Sequence, residues 1–130
     1  MVRRRLALLP GLLASASLIG GCGHPVQNKL EGRWLGGGVE NFDDAVVAAA
    51  TGWARGTSFE FSGGSVTVSI PAEEPRTGKY KIASVHESDV QLTVERADGA
   101  VDNVHLKLDD DRSMRWMLGD NRSVVLSREQ

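Results

Sequence analysis

The sequence predicts a mainly β protein: a small antiparallel β-barrel, a meander of about eight strands, with one α-helix after the first strand. Three observations carry this. From Thr57 onward apolar and polar residues alternate with period two, the pattern of strands buried on one face. The interruptions are short and rich in Gly, Asp and Asn, which tolerate the backbone of tight hairpins. Only between Asn41 and Arg55 does the apolar period lengthen to that of a helix.

An opening strand covers Gly32 to Leu35. In the helix, Phe42, Ala45, Val46, Ala49, Ala50 and Trp53 form one stripe. Asn41 is the expected cap, Asp43 and Asp44 suit the positive end of the helix dipole, and Gly56 ends it. The strands that follow are read from their inward sets. Phe59 and Phe61 come first, then Val66, Val68 and Ile70, then Tyr80 and Ile82. Val90, Leu92 and Val94, then Val104, Leu106 and Leu108, then Met114, Trp116 and Leu118 continue the series. A last strand runs from Ser123 to Ser127. Turn chemistry falls at Ser62-Gly63-Gly64, Asp98-Gly99, Asp109 to Asp111 and Gly119-Asp120-Asn121, and only Pro71 to Pro75 makes a longer loop. Strands joined by tight turns are antiparallel neighbours. A flat meander of this length leaves one apolar face and two bare edges exposed, and closure into a barrel removes both. A two-layer β-sandwich is the second choice.

Residues 1–21 stand apart. Arg3-Arg4-Arg5 is basic, Leu6 to Ile19 is apolar, and Ile19-Gly20-Gly21 offers small residues for cleavage, the layout of a secretory signal peptide. The apolar stretch is too short for a spanning helix, which needs about 20 residues. It leads to Cys22, the single cysteine of the 130 residues. Ile19 to Cys22 resembles the bacterial lipobox, which implies cleavage before a Cys acylated with palmitate-type chains. The expected division is therefore a signal peptide over 1–21, a lipidated tether over 22–29, and one domain over 30–130. The expected address is the bacterial cell envelope, held to the membrane through Cys22; with Gly23 rather than Asp next, the sorting pattern implies the outer membrane in a Gram-negative cell. An ordinary secreted chain with one free thiol is the alternative.

Removal of residues 1–21 takes away three arginines and leaves an acidic chain with no basic patch, so nucleic acid is not an expected partner. With no second cysteine the domain has no internal disulfide and must hold together by burying apolar surface.

Gly32-Arg33-Trp34 on the first strand of a meander barrel resembles the start of the lipocalins. That resemblance implies that Trp34 packs at the barrel floor and that a late arginine covers it, Arg128 or, as second choice, Arg122. It also implies binding of a small apolar ligand. This domain is shorter than a typical lipocalin, so its interior is smaller.

The aromatic set Trp34, Phe42, Trp53, Phe59, Phe61, Tyr80 and Trp116 is the candidate ligand-binding lining. The same residues could instead fill the core, which a domain this small favours. The other chemistry-bearing groups read as surface. His24, His86 and His105 lack the spacing of a metal pair, and Asp109 to Asp111 lacks the glycine and terminal glutamate of a calcium loop. Gly36-Gly37-Gly38 lacks the Lys-Ser/Thr of a phosphate loop and reads as a flexible link from strand to helix. No Gly-x-Ser-x-Gly turn is present. No enzyme activity, cofactor or metal is called for. The functional expectation is an envelope lipoprotein whose barrel binds an apolar small molecule or lipid. The alternative is a structural module or inhibitor docking on another envelope protein.

Overall fold

In a computed structural model, which describes residues 25–130, the chain closes into an antiparallel barrel of eight strands in simple meander order. A short helix α1 (Pro25–Leu30) precedes β1 (Gly32–Glu40), and α2 (Val47–Arg55) separates β1 from β2 (Ser58–Ser62). Then come β3 (Ser65–Ser69), β4 (Arg76–His86), β5 (Asp89–Arg96), β6 (Val101–Leu108), β7 (Ser113–Gly119) and β8 (Arg122–Arg128). β1 pairs with β2 on one side and β8 on the other, so each strand of the described barrel has two neighbours. Closure, not a sandwich, is the observed solution.

The inward faces are those that the period of two marks. Trp34, Phe59, Phe61, Val66, Val90, Leu92, Leu106, Met114, Val124 and Leu126 are all buried, and they share faces through the strand register. Outward positions carry Glu60, Thr67, Lys79, Lys81, Thr93 and Glu95. A membrane-spanning barrel needs an apolar band outside, so this barrel has the opposite polarity.

Four expectations change. Residues 25–29 are not a free tether: Pro25–Leu30 is a helical turn whose Val26 and Leu30 enter the core. Gly36-Gly37-Gly38 is not a link but part of β1, with a bulge between Gly36 and Gly38. Its reason is steric, because a Cβ on Gly36 would stand 2.0 Å from the Ala54 carbonyl oxygen, where the end of α2 lies on the strand. The helix is shorter than Asn41 to Arg55, and Asn41 does not cap it. Asn41 has φ of 64° and donates its side-chain amide to the Asn121 carbonyl across the β7–β8 turn, while Val46 precedes the helix without a side-chain cap. Nor does the stripe bury as a whole: among its residues Ala45, Val46 and Ala49 are exposed, and the helix docks by its last turn, through Trp53 and Ala54.

Counting from the N-terminus of β1, the barrel has two unlike ends. The floor holds α1, the β2–β3, β4–β5 and β6–β7 turns and the C-terminus; the mouth holds α2, the loop from Pro71 to Pro75, and the β5–β6 and β7–β8 turns. Arg128 locks the floor. Its guanidinium carbon lies 4.2 Å from the centre of the Trp34 ring, its Nε donates to the Asp111 carbonyl at 2.8 Å, and its Nη groups donate to the carbonyls of Lys29 and Glu31. Trp34 Nε1 donates to the Leu30 carbonyl at 2.9 Å. Gly32 is glycine for two reasons: its φ is +115°, and a Cβ there would meet Arg128 Nη1 at 2.9 Å.

One side chain thus satisfies three carbonyls and covers the floor tryptophan. Hydrogen bonds to a charged group contribute about 1.5–3 kcal/mol each in isolation but not additively, and a cation over an aromatic ring about 0.5–2 kcal/mol. Arg128→Ala is predicted to cost about 3 kcal/mol in urea unfolding. Arg128→Lys should recover less than half of that, because a point charge cannot reach several carbonyls at once.

Candidate binding pocket

Packing differs along the barrel axis. At the floor, Leu30, Trp34, Leu106, Met114 and Leu126 are each at most 1% exposed and leave the lower interior filled. Phe61 and Tyr80 pack edge to face there, with ring centres 5.2 Å apart. Towards the mouth a cavity of about 240 Å³ opens between two aromatic rings and a set of valines.

Its walls are Phe59, Val68, Ile70, Val94, Val104 and Trp116, from β2, β3, β5, β6, β7 and the start of the β3–β4 loop. The Trp116 ring is held from two sides: Phe59 meets it edge-on at 5.3 Å, and Trp53 of α2 stacks on it at 5.9 Å. The rim is charged, and both of its arginines are paired. Arg96 Nε lies 3.1 Å from Asp102 Oδ2, and Arg76 donates to Glu73 at 3.1 Å. Asp102 faces inward because it stands opposite Val94, a buried wall residue. Paired rim charges restrain each other while the apolar floor of the cavity stays open. The arrangement can desolvate an apolar group at the mouth.

The expected aromatic lining divides by height. Phe59 and Trp116 line the cavity, and Trp53 supports Trp116 from behind. Trp34, Phe61 and Tyr80 belong to the packed floor. Phe42 lies apart from both, half-buried beneath the Arg122 guanidinium at 5.4 Å. So Arg128, not Arg122, is the arginine over the floor tryptophan, and Arg122 covers a different ring. The remaining wall residues, Val68, Ile70, Val94 and Val104, and the rim residues Arg76, Arg96 and Asp102, were not among the expected lining. Cys22 and His24 lie outside the described residues.

The other chemistry-bearing groups are occupied elsewhere. His105 faces outward, its Nε2 2.8 Å from Asp89, and this contact holds the Asp89 carboxyl below its usual range. Asp109 takes a two-pronged contact from Arg115 at 2.8 and 3.1 Å, and Asp110 accepts the Arg112 backbone N–H at 2.8 Å. These aspartates brace the β6–β7 turn. Under the floor, the buried Tyr80 hydroxyl and Glu31 Oε2 have no hydrogen-bond partner among the described residues. Burial, then the nearby Glu31 charge, push the Tyr80 pKa up to about 12, with the Gln27 side chain acting in the opposite direction.

Compared with protein-family models, curated proteins and solved structures, the chain finds no significant match in any of the three.

Tyr80 gives a pH prediction. Its hydroxyl stays protonated to higher pH in the folded chain than in the unfolded one, near pKa 10. The neutral form is therefore the stable folded form, and its contribution is complete below pH 10 and lost as pH rises from about 10 to about 12. Tyr80→Phe should leave neutral-pH stability within about 1 kcal/mol, since it removes an unpaired buried hydroxyl. It should also lose less stability than the parent chain over that alkaline window, read as the difference in urea midpoints.

Proposed function

We propose that this chain is a non-enzymatic, lipid-anchored envelope protein that takes an apolar group of limited size into the mouth of its barrel. The observation that carries this reading is the cavity itself, an apolar pit ending on Phe59 and Trp116 above an otherwise filled interior. At about 30 Å³ per small-molecule heavy atom, taking the share of a water in the liquid, 240 Å³ accepts about eight such atoms. That lies below the roughly 300–1,000 Å³ of drug-sized sites, so the occupant is a small molecule or one end of a larger one. The anchor rests on the sequence before the domain, Arg3-Arg4-Arg5, the apolar stretch and Gly21-Cys22. The likeness to lipocalins rests on the meander barrel, on Gly32 and Trp34, and on Arg128 over that tryptophan.

A second reading, docking on another envelope protein, has one observation in its favour. Val46 and Val47 at the start of α2 are 48% and 37% exposed beside the exposed Ala48 and Ala49.

The ligand reading is tested with the secreted Cys22→Ser domain and toluene, indole and octanoate as probes, followed by ligand-observed NMR. Saturable binding of at least one, with Kd between about 10 μM and 1 mM, is expected from burying about eight apolar atoms against the cost of association. Val104→Trp should fill the cavity and weaken that binding at least tenfold while leaving the fold intact by circular dichroism. No saturable binding, or binding that the variant leaves unchanged, contradicts the reading.

A further inference from the structure

We infer that the barrel stands floor-down on the membrane that anchors it, with its mouth turned to the aqueous side, so that the pocket is filled from that side and not from the anchoring leaflet. The inference rests on the lipid-anchor reading of Cys22 and adds an orientation to it.

The first ground is reach. The described chain starts at Pro25, and α1 lies across the floor, its Val26 and Lys29 bordering the β4–β5 and β6–β7 turns at Glu87, Ser88 and Asp109 to Asp111. Only Gly23 and His24 separate Pro25 from Cys22. A fully extended chain spans at most about 3.6 Å per residue, so the Cys22 Cα lies within about 11 Å of the Pro25 Cα whatever path the chain takes.

The second ground is that this tether cannot lengthen cheaply. Peeling α1 away would expose Leu30, which is fully buried, and Val26, which is 9% exposed. It would also strip the Lys29, Leu30 and Glu31 carbonyls from Arg128 and Trp34. The third ground is distance to the mouth. β5 carries eight residues, so at about 3.3 Å per residue and a tilt of about 35–45° the mouth stands about 20 Å above the floor. A tether of about 11 Å rooted at the floor is shorter than that height, so the barrel cannot turn over and stand on its mouth.

The test uses the full-length chain, processed in a bacterial envelope and reconstituted in phosphatidylcholine–phosphatidylglycerol vesicles carrying acceptor-labelled lipid. A donor dye is placed on Arg112→Cys, in the exposed β6–β7 turn at the floor, or on Ala97→Cys, in the exposed β5–β6 turn at the mouth. Energy transfer to the lipid should be strong from Arg112→Cys and at least threefold weaker from Ala97→Cys. A third chain inserts twenty Gly and Ser residues between His24 and Pro25, a linker with a mean span of about 25 Å. It should bring the two positions to near-equal transfer. Equal or reversed transfer without the insertion overturns the orientation while leaving the anchor intact. A difference that survives the insertion overturns the tether as its cause. A chain that carries no acyl mass and fails to float with the vesicles overturns the inference together with the anchor reading on which it rests.

Discussion

The contact between Arg128 and Trp34 is the constraint on which the rest of the barrel depends. A meander closes only if its first and last strands meet, and here the closing pair places Trp34 opposite Arg128. The same guanidinium then reaches past the sheet to the carbonyls of α1 and of the β6–β7 turn. The contacts to Lys29 and Asp111 lie at the exposed margin of this barrel end, and the one to Glu31 is partly buried. Closure of the sheet and sealing of its floor are therefore one event. The glycine at Gly32 follows from it, because only a residue without Cβ leaves room for the arginine at that backbone angle.

From this follows the asymmetry of the molecule. A domain of about 100 residues has limited apolar surface to spend on stability. This one packs the lumen closely at the floor, where Trp34, Phe61, Tyr80, Leu106 and Met114 fill it. The mouth combines Phe59 and Trp116 with valines and leaves a gap between them, and the last turn of α2 packs there through Trp53 and Ala54. The result is a packed scaffold carrying a shallow pit, which sits between the two interiors the sequence allowed, a filled core and a ligand chamber.

The strands were legible because one face of each is buried, which imposes period two wherever side chains differ in polarity. The parts that were not legible are those where that signal vanishes. Three consecutive glycines carry no pattern, so the second half of β1 read as a link. Six residues with two apolar positions, Val26 and Leu30, are too few to distinguish a helical turn from a tether. Asn41 has the chemistry of a cap, but its amide found the Asn121 carbonyl in the turn before the neighbouring strand β8, a partner that sequence spacing cannot show. The site was half legible. Aromatic content marks the interior but not height within it, so floor and mouth residues were pooled. A finer signal was present: Arg96 follows the inward phase of Val90, Leu92 and Val94, and Asp102 precedes that of Val104 and Leu106. A charged residue that ends an apolar phase on two paired strands marks where the lumen meets water.

The account turns on a barrel sealed and cooperative at the floor and open at the mouth, and amide hydrogen exchange tests that directly. The amides of Trp34, Phe61, Leu106 and Leu126 should exchange only through global unfolding, with opening free energies equal to that from urea. Those of residues 72–75 and 97–99 should exchange orders of magnitude faster. Comparable exchange at both ends, or floor amides that open well below the global free energy, would contradict a floor locked by Arg128.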